Sequence, residues 1–539
     1  MANAEHDVVV IGGGVHGACV AWEAARRGLR VALIEAADFG QGTSSNSLRT
    51  FHGGIRYLQQ LDFQRMRESI RERREWLRLA PHLVHPMRFV LPTVGHGMRG
   101  PEVLGAALVA NDLVGADRNR GVRPDRALPR GQLWSASRAR QALDGIDVEG
   151  LNGAATWYDA VCTNTERLLI SIVATAAAAG AHVANYARAV ALKRRAGAVC
   201  GVRIRDELSG TTYDLHARAI INAAGPWVDE ALALGTSHAH PRIFGASKAF
   251  NLLTRALPFR DAIGLSCDRR DVADKLTSTY FIIPWNGHSL VGTRHLRCDP
   301  AARTCPIGPA EVQAFLADLN GVLGRYRLTT ADVQGVFCGL LPEHEENPSS
   351  EVALVKTARV IDHGVDDGVS GFYSVVGIKW TTARAVAERA VVMAGTYLGE
   401  RAAPPAAPRT LETCGPGVAA IEELIARDAA LAAPIVPDLP AVKAQVVYAT
   451  RYEMARHLWD VVRRRVPLYL SPAIDEPVLA TCASLMQREL NWTQAETSQQ
   501  IAEAASELQA FRSFGSREAS RIDQRSAAHA RVPMSSTGS

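Results

Sequence analysis

Apolar positions divide this chain into elements before any chemistry is considered. Asp7 to Ile11 is an unbroken, mostly β-branched run, the pattern of a strand buried on both faces of a parallel sheet. Val15 to Arg27 switches to helical spacing and closes at Gly28, and Arg30 to Ile34 is a second apolar strand ending at Glu35. Phe63 to Leu79 is a charged amphipathic helix with Arg and Glu at i,i+4 spacings. An alanine-rich helix follows at Leu168 to Ala179, then strands around His182 to Leu192, Val199 to Arg205 and Tyr213 to Asn222. From about Arg242 to Thr293, β-branched and aromatic positions alternate between Pro and Gly breaks, which predicts an antiparallel sheet. Phe372 to Val376 predicts a strand that feeds a helix over Thr382 to Tyr397. RAAPPAAP at 401–408 marks a linker, 418–511 reads as helical throughout, and the polar, Ser-rich stretch past Ser513 reads as a disordered tail.

At 539 residues the chain exceeds one compact core, so two or three domains are expected. Its 60 basic and 55 acidic residues leave a net charge of only +5, which gives no electrostatic case for nucleic acid. Nine scattered cysteines without a C-x-x-C argue against a zinc site or a disulfide framework, so no metal is expected and a reducing cytoplasm is the simpler setting. The N-terminus MANAEHDVVVIGGG lacks the basic and apolar regions of a signal peptide. No apolar run approaches the ~18 residues of a spanning helix.

Gly12, Gly14 and Gly17 form G-x-G-x-x-G directly after the first strand, with Gly13 inside the turn. Glycines there permit a tight turn, let the backbone approach a pyrophosphate, and let helix and strand pack closely. The helix N-terminus then presents positive partial charge to the phosphates. Glu35 ends the second strand, where a carboxylate holds a ribose hydroxyl. The turn implies a dinucleotide. Two further glycine-bearing segments, Ala223 to Pro226 and Gly377 to Arg384, favour FAD over NAD, because a long flavin cofactor needs backbone contacts from segments far apart in the chain.

Thr43 to Leu58, TSSNSLRTFHGGIRYL, resembles the FAD-dependent glycerol-3-phosphate dehydrogenases, whose signature is close to T-S-S-x-S-S-K-L-x-H-G-G-L-R-Y-L. Similar matches are Ala80-Pro-His-Leu-Val-His-Pro-Met-Arg-Phe89, Asn222 to Trp227, Phe281 to Trp285, Val291 to Thr293, Gly377 to Arg384 and, near the C-terminus, Tyr448 to Arg465. The resemblance runs in order from about residue 6 to 470. It implies an α/β protein with a Rossmann-like FAD-binding domain of the D-amino-acid oxidase type, a β-rich substrate domain and an all-α C-terminal domain. The implied layout is an oxidoreductase over 1–400, with FAD-binding segments near 1–95, 150–240 and 335–400 and substrate segments near 96–149 and 241–334. A linker at 401–410, helices over 411–513 and the tail at 514–539 complete it. The implied reaction moves a hydride from the alcohol carbon of a polyol phosphate to flavin, with electrons passed to quinone, or to dioxygen in oxidase relatives. A homodimer and peripheral contact with the inner face of the cell membrane are further expectations.

By position in the family motifs, Thr43, Ser44 and Ser45 are expected along the pyrophosphate or ribityl chain, and His52, Gly53 and Gly54 near the flavin ring. Val190 is the candidate for backbone contact with adenine. Gly225, Gly377, Lys379 and Thr381 are expected to flank the far side of the flavin. Arg56 matches the arginine that holds the substrate phosphate, for which a guanidinium suits two oxygens at once; a structural ion pair is its alternative. His52 is a candidate general base or a hydrogen-bond donor to flavin, and Lys248 a second candidate base, against a solvated lysine.

The substrate side departs from the family. Gly-Ser-His becomes Ala246-Ser247-Lys248, an arginine in G-V-R-P-L becomes Leu341 with Glu343 close by, a second arginine aligns with Lys356, and G-T-T-D becomes Gly292-Thr293-Arg294-His295. Lys248, Arg294 and Lys356 are the candidates to restore the missing charge. Different hydroxy substrates and a flavoprotein with a decayed substrate site stay open alternatives. For Arg463 to Arg465 the readings are a solvated face, a domain contact or anionic lipid, and Pro101 to Val114 reads equally as a packed helix or an interfacial one.

Overall fold

The computed structural model describes residues 4–235, 242–243, 245–268, 277–298, 306–343, 352, 354–399, 410–411 and 417–514. The linker expected at 401–408 and almost all of the expected tail lie outside these residues.

The first apolar run forms a strand, Glu5–Ile11, in the middle of a sheet ordered Arg359–Asp362, Phe372–Val376, Thr212–Asn222, Glu5–Ile11, Val31–Ile34 and His182–Ala184. From Phe372–Val376 to His182–Ala184 all pairs are parallel. Both faces are covered, which is why the strand reads as continuous Val and Ile. Val8 and Val10 pack against the helices Val15–Arg26, Thr165–Ala178 and Ala383–Tyr397, whereas Val9 and Ile11 face Val199, Val202 and Leu215 of the antiparallel strands Ala187–Arg195, Ala198–Asp206 and Thr212–Asn222. The chain leaves Glu5–Ile11 toward one side of the sheet and returns on the other through Thr212–Asn222. Its C-terminal end is therefore a switch point, where open α/β sheets hold ligands.

The second sheet runs Val333–Glu343, Gly245–Arg255, His288–Arg297, Thr277–Trp285, Ala262–Asp268, Val84–Val94, Leu151–Cys162 and Thr50–Phe51. The antiparallel expectation for 242–293 holds here. Strand membership differs from the expected segment bounds. Thr50–Phe51, Val84–Val94, Leu151–Cys162 and most of Val333–Glu343, placed by the sequence with the flavin segments, pair into this second sheet. Hydrogen-bonded pairing between distant strands decides that membership, and apolar pattern carries no record of it.

The C-terminal unit contains Val418–Arg427, Lys443–Tyr452, Glu476–Leu490 and Gln494–Arg512, with a short turn Leu458–Asp460 running into a π-helical turn, Val461–Arg465. It seats Phe511 against Phe337 of the second sheet, ring centroids 5.2 Å apart. Arg463, Arg464 and Arg465 are all buried, so the basic run is a domain contact and neither a solvated face nor a lipid patch. Cys298 is disulfide-bonded, against the expectation of reduced thiols, while Cys19, Cys162, Cys200, Cys267, Cys338 and Cys482 are free.

Candidate functional site

A cavity of about 1130 Å³ opens at the switch point and runs between the two sheets. Gly12 and Gly14 form its wall at the start of the helix. Gly12 has φ +105°, and a Cβ there would lie 2.6 Å from the carbonyl oxygen of Ala223; a Cβ on Gly17 would lie 1.8 Å from that of Gly12. The sequence motif thus does two jobs: Gly12 bends the chain, and Gly17, which does not line the cavity, lets helix and strand touch. Ser44 Oγ accepts from the backbone N–H of Val15 at 3.0 Å, and Gly13 N–H donates to Glu35 Oε2 at 2.6 Å. Glu35 Oε1 accepts from Ala37 N–H at 2.8 Å, so both oxygens of this cavity carboxylate are oriented from the backbone. Burial pushes its pKa up, and the bonds from Gly13 and Ala37 partly offset that. Val190 lines the same end.

His52 and Lys379 line the opposite end, with Asn251, Thr293, His295 and Leu341. His52 Nδ1 lies 3.3 Å from Asp159 Oδ2, which also accepts from Trp157 Nε1 at 3.1 Å. Asp159 Oδ1 accepts from Gly53 N–H at 2.6 Å and from Arg73. Burial pushes the Asp159 carboxyl up, but the Arg73 guanidinium and the bonds from His52 and Gly53 outweigh it and hold it well below the usual carboxylate range. Lys379 Nζ donates to Tyr57 OH at 2.6 Å and Ser69 Oγ at 3.0 Å.

Several expected site residues sit elsewhere. Arg56 is exposed and is not among the cavity-lining residues, because the 3-10 turn Ile55–Gln60 points Tyr57 inward instead. Lys248 also lies off the lining: it is on the face of its strand opposite Ala249 and Asn251, and its Nζ pairs with Glu311 Oε1 at 2.5 Å. Arg294 is buried against Asp318, Lys356 is exposed, and Glu343 pairs with Arg297. Ser45 turns away and donates to Gly40 O at 2.6 Å. Gly53 and Gly54 are second to the cavity, packed against Arg73 and Tyr57, and Thr381 Oγ1 accepts from His52 N–H at 3.2 Å without reaching the lining. Thr43, Gly225 and Gly377 do line it.

Sequence reading missed Asp159, Tyr57 and His16. Tyr57 stands inside the HGGIRYL motif beside Arg56, and the motif does not show which of the two points inward. His16 occupies the variable position before Gly17; a Cβ on Gly377 would strike its ring, and burial pushes its imidazole down to about 4. Among the described residues its Nε2, which faces the cavity wall, has no hydrogen-bond partner. A glycine cradle, a backbone-oriented carboxylate and an unpartnered buried ring nitrogen along one cavity suit a long dinucleotide.

The profile described as "FAD dependent oxidoreductase" matches residues 7–403, nearly all of both sheets. The chain belongs to that family. A second profile, "C-terminal domain of alpha-glycerophosphate oxidase", matches residues 378–497 of this flavoprotein. Glycerol-3-phosphate dehydrogenase of Synechocystis sp. is 31% identical over 541 residues, covering 93% of this chain and 95% of its own, which places the flavoprotein among the glycerol-3-phosphate dehydrogenases. Glycerol-3-phosphate dehydrogenase 2 of Mycobacterium tuberculosis is 29% identical over 546 residues, covering 95% and 89%. In fold, the FAD complex of glycerol-3-phosphate dehydrogenase from Bacillus halodurans superposes with a TM-score of 0.69 at 23% identity, over 94% of this chain and 95% of that one. FAD is the cofactor of this flavoprotein.

Proposed function

We propose that this flavoprotein oxidises the secondary alcohol of sn-glycerol 3-phosphate, or of a related polyol phosphate, to the ketone. The observation that carries the reading is the His52–Asp159 pair beside Lys379 at the far end of a dinucleotide cavity. Gly12, Gly14 and Ser44 would hold the pyrophosphate, Glu35 a ribose hydroxyl and Val190 the adenine; Thr43, Gly225 and Gly377 would flank the rest of the cofactor. Bound FAD supplies the two-electron acceptor for the hydrogen on the alcohol carbon.

The chain's own part is proton handling and orientation. An ionised Asp159 only accepts hydrogen bonds, so the proton of His52 sits on Nδ1 and the lone pair of Nε2 is free to take the hydroxyl proton. The alcohol thus loses one proton to His52 and one hydrogen with its electron pair to the acceptor, which balances the step to a ketone. Lys379, held by Tyr57 and Ser69, presents an ammonium to the substrate's anion or to its reacting oxygen.

A second reading is favoured by the placement of Arg56, Lys248, Arg294 and Lys356 off the cavity lining: the alcohol carries no phosphate. Anaerobic bleaching of the flavin separates the two. Glycerol 3-phosphate is expected to bleach it rapidly, and bleaching by unphosphorylated polyols alone would overturn the first reading. Electrons are proposed to leave to a quinone; rapid reoxidation by dioxygen with peroxide release would instead make the protein an oxidase. No helix among the described residues is long and apolar enough to cross a membrane. The helix Pro101–Val114 exposes Val109 and Leu113 (61% and 73%) beside exposed Arg99 and Arg120, which supports peripheral contact with anionic lipid. Co-sedimentation with anionic vesicles that is lost in a Val109→Glu, Leu113→Glu variant tests it.

A further inference from the structure

Asp38 lies three residues beyond Glu35 and is fully buried, yet its ionic partners come from the far end of the chain. Arg464 Nε donates to Asp38 Oδ2 at 2.5 Å, and Arg465 donates to both carboxylate oxygens, at 2.6 Å and 2.8 Å. Asn185 Nδ2 adds a bond to Asp38 Oδ1 at 2.9 Å. Arg464 also donates to Asp460 Oδ1 at 2.8 Å, and Asp460 accepts from Tyr186 OH at 2.8 Å and 2.9 Å. Two carboxylates and two guanidiniums meet here, and each is buried.

Its backbone connections lead to one place. Tyr186 N–H donates to Ala37 O at 2.9 Å, Ala187 N–H to Glu35 O at 2.7 Å, and Glu35 N–H to Ala184 O at 2.9 Å. The loop from Glu35 to Asp38 is thus stitched to residues 184–187 on one side and gripped by Arg464 and Arg465 on the other. The Ala37 N–H that orients Glu35 belongs to this loop. The arginines reach it because Val461–Arg465 is a π turn: the wider turn buries three successive arginines, Arg463 against the rings of Phe337, Tyr469 and Phe511, and the next two against Asp38.

From this arrangement we infer that the C-terminal helical unit is a cofactor-retention clamp, in which Arg464 and Arg465 act through Asp38 to position the Glu35 loop for the adenosine half of FAD. They are positioning residues, since they touch the loop that carries the carboxylate. A helical unit that merely filled out the core would need no buried, multiply bonded ion cluster at this one loop. Burying four charges gains little stability over apolar packing but holds one geometry, because every partner's position is dictated by the others. The inference rests on FAD being the bound dinucleotide.

The adenosine half distinguishes a clamp from general support. FMN shares the flavin ring, ribityl chain and one phosphate with FAD but has no adenosine. The full-length chain, freed of flavin, is titrated with FAD and with FMN, binding being read by flavin fluorescence; FAD binding by the parent chain is the control on the cofactor itself. Arg465→Met and Asp38→Asn are expected to raise the dissociation constant of FAD about tenfold or more, the scale of one misplaced charge-assisted hydrogen bond, and to leave that of FMN within about twofold. An unchanged FAD constant, or equal losses for FAD and FMN, would overturn the clamp. Tyr186→Phe removes one hydroxyl from the cluster and is the safeguard against variants that do not fold. It is expected to weaken FAD alone by about threefold, a fraction of one net hydrogen bond, and parent-like FAD binding by Tyr186→Phe would sink the inference as surely.

Discussion

Asp159 aligns His52 from behind: its Oδ2 lies 3.3 Å from His52 Nδ1, while its Oδ1 is held by Gly53 N–H at 2.6 Å and by Arg73. The ring of the histidine is therefore oriented at the cavity by a carboxylate 107 residues away in the chain.

Asp159→Asn is expected to keep FAD bound and to slow flavin reduction by about 10²-fold, the lower range for a general base that loses its orientation. Stopped-flow bleaching measures it. His52→Gln should show a comparable loss, and the double variant little more than either, since the two residues form one device. Additive losses would separate them.

Lys379→Met should raise KM for an anionic substrate more than it lowers kcat if the ammonium binds the anion, and lower kcat chiefly if it faces the reacting oxygen. Loss of a bond to a charged group corresponds to about 1.5–3 kcal/mol, or roughly 10- to 150-fold in kcat/KM. An unchanged kcat/KM would remove Lys379 from the site.

Lys248→Met and Arg56→Ala are expected to leave kcat/KM within about twofold, because neither side chain lines the cavity. A large loss in steady-state assays would bring them back as functional groups.

Acid should unfold the protein through Asp38 and Asp159. Burial raises both carboxyls, but Arg465 with Arg464, and Arg73, more than offset it, so both are held well below the ordinary value of 3.8. The unfolded chain then takes up protons first as pH falls, and the stability these groups contribute is present above about pH 4 and lost progressively below it. Denaturant titrations between pH 6 and pH 3 read this, and Asp159→Asn should flatten part of the slope. A slope unchanged by that substitution would acquit Asp159.

His16 is depressed by burial to about 4, so it is neutral at pH 7 and lowers stability as pH falls through the 6.5 of a free histidine toward that value. Its Nε2 is expected to serve FAD. His16→Leu should weaken FAD binding about tenfold and shift the flavin's visible spectrum or potential. An unaltered affinity and spectrum would leave His16 as packing.

Glycine turn, adjoining helix, second strand and Glu35 were legible in the sequence because they form one contiguous run in which spacing alone encodes contact. HGGIRYL and GIKWTTAR were legible as motifs for the same reason. Which side chains reach the cavity was a different matter. Along Gly245–Arg255, a shift of one position separates Asn251 and Ala249, which line the cavity, from Lys248, which pairs with Glu311 on the opposite face; strand pairing selects the face, and the sequence does not record it. Asp159 behind His52, and Arg464 reaching Asp38 across 426 residues, exist as contacts only after two sheets and a π turn have closed around them. One contiguous run of residues was enough to call for a dinucleotide and to mark where its turn begins. Which groups line the cavity and which hold the frame emerges from packing, because burial, pairing and charge compensation are properties of packed neighbours and not of spacing.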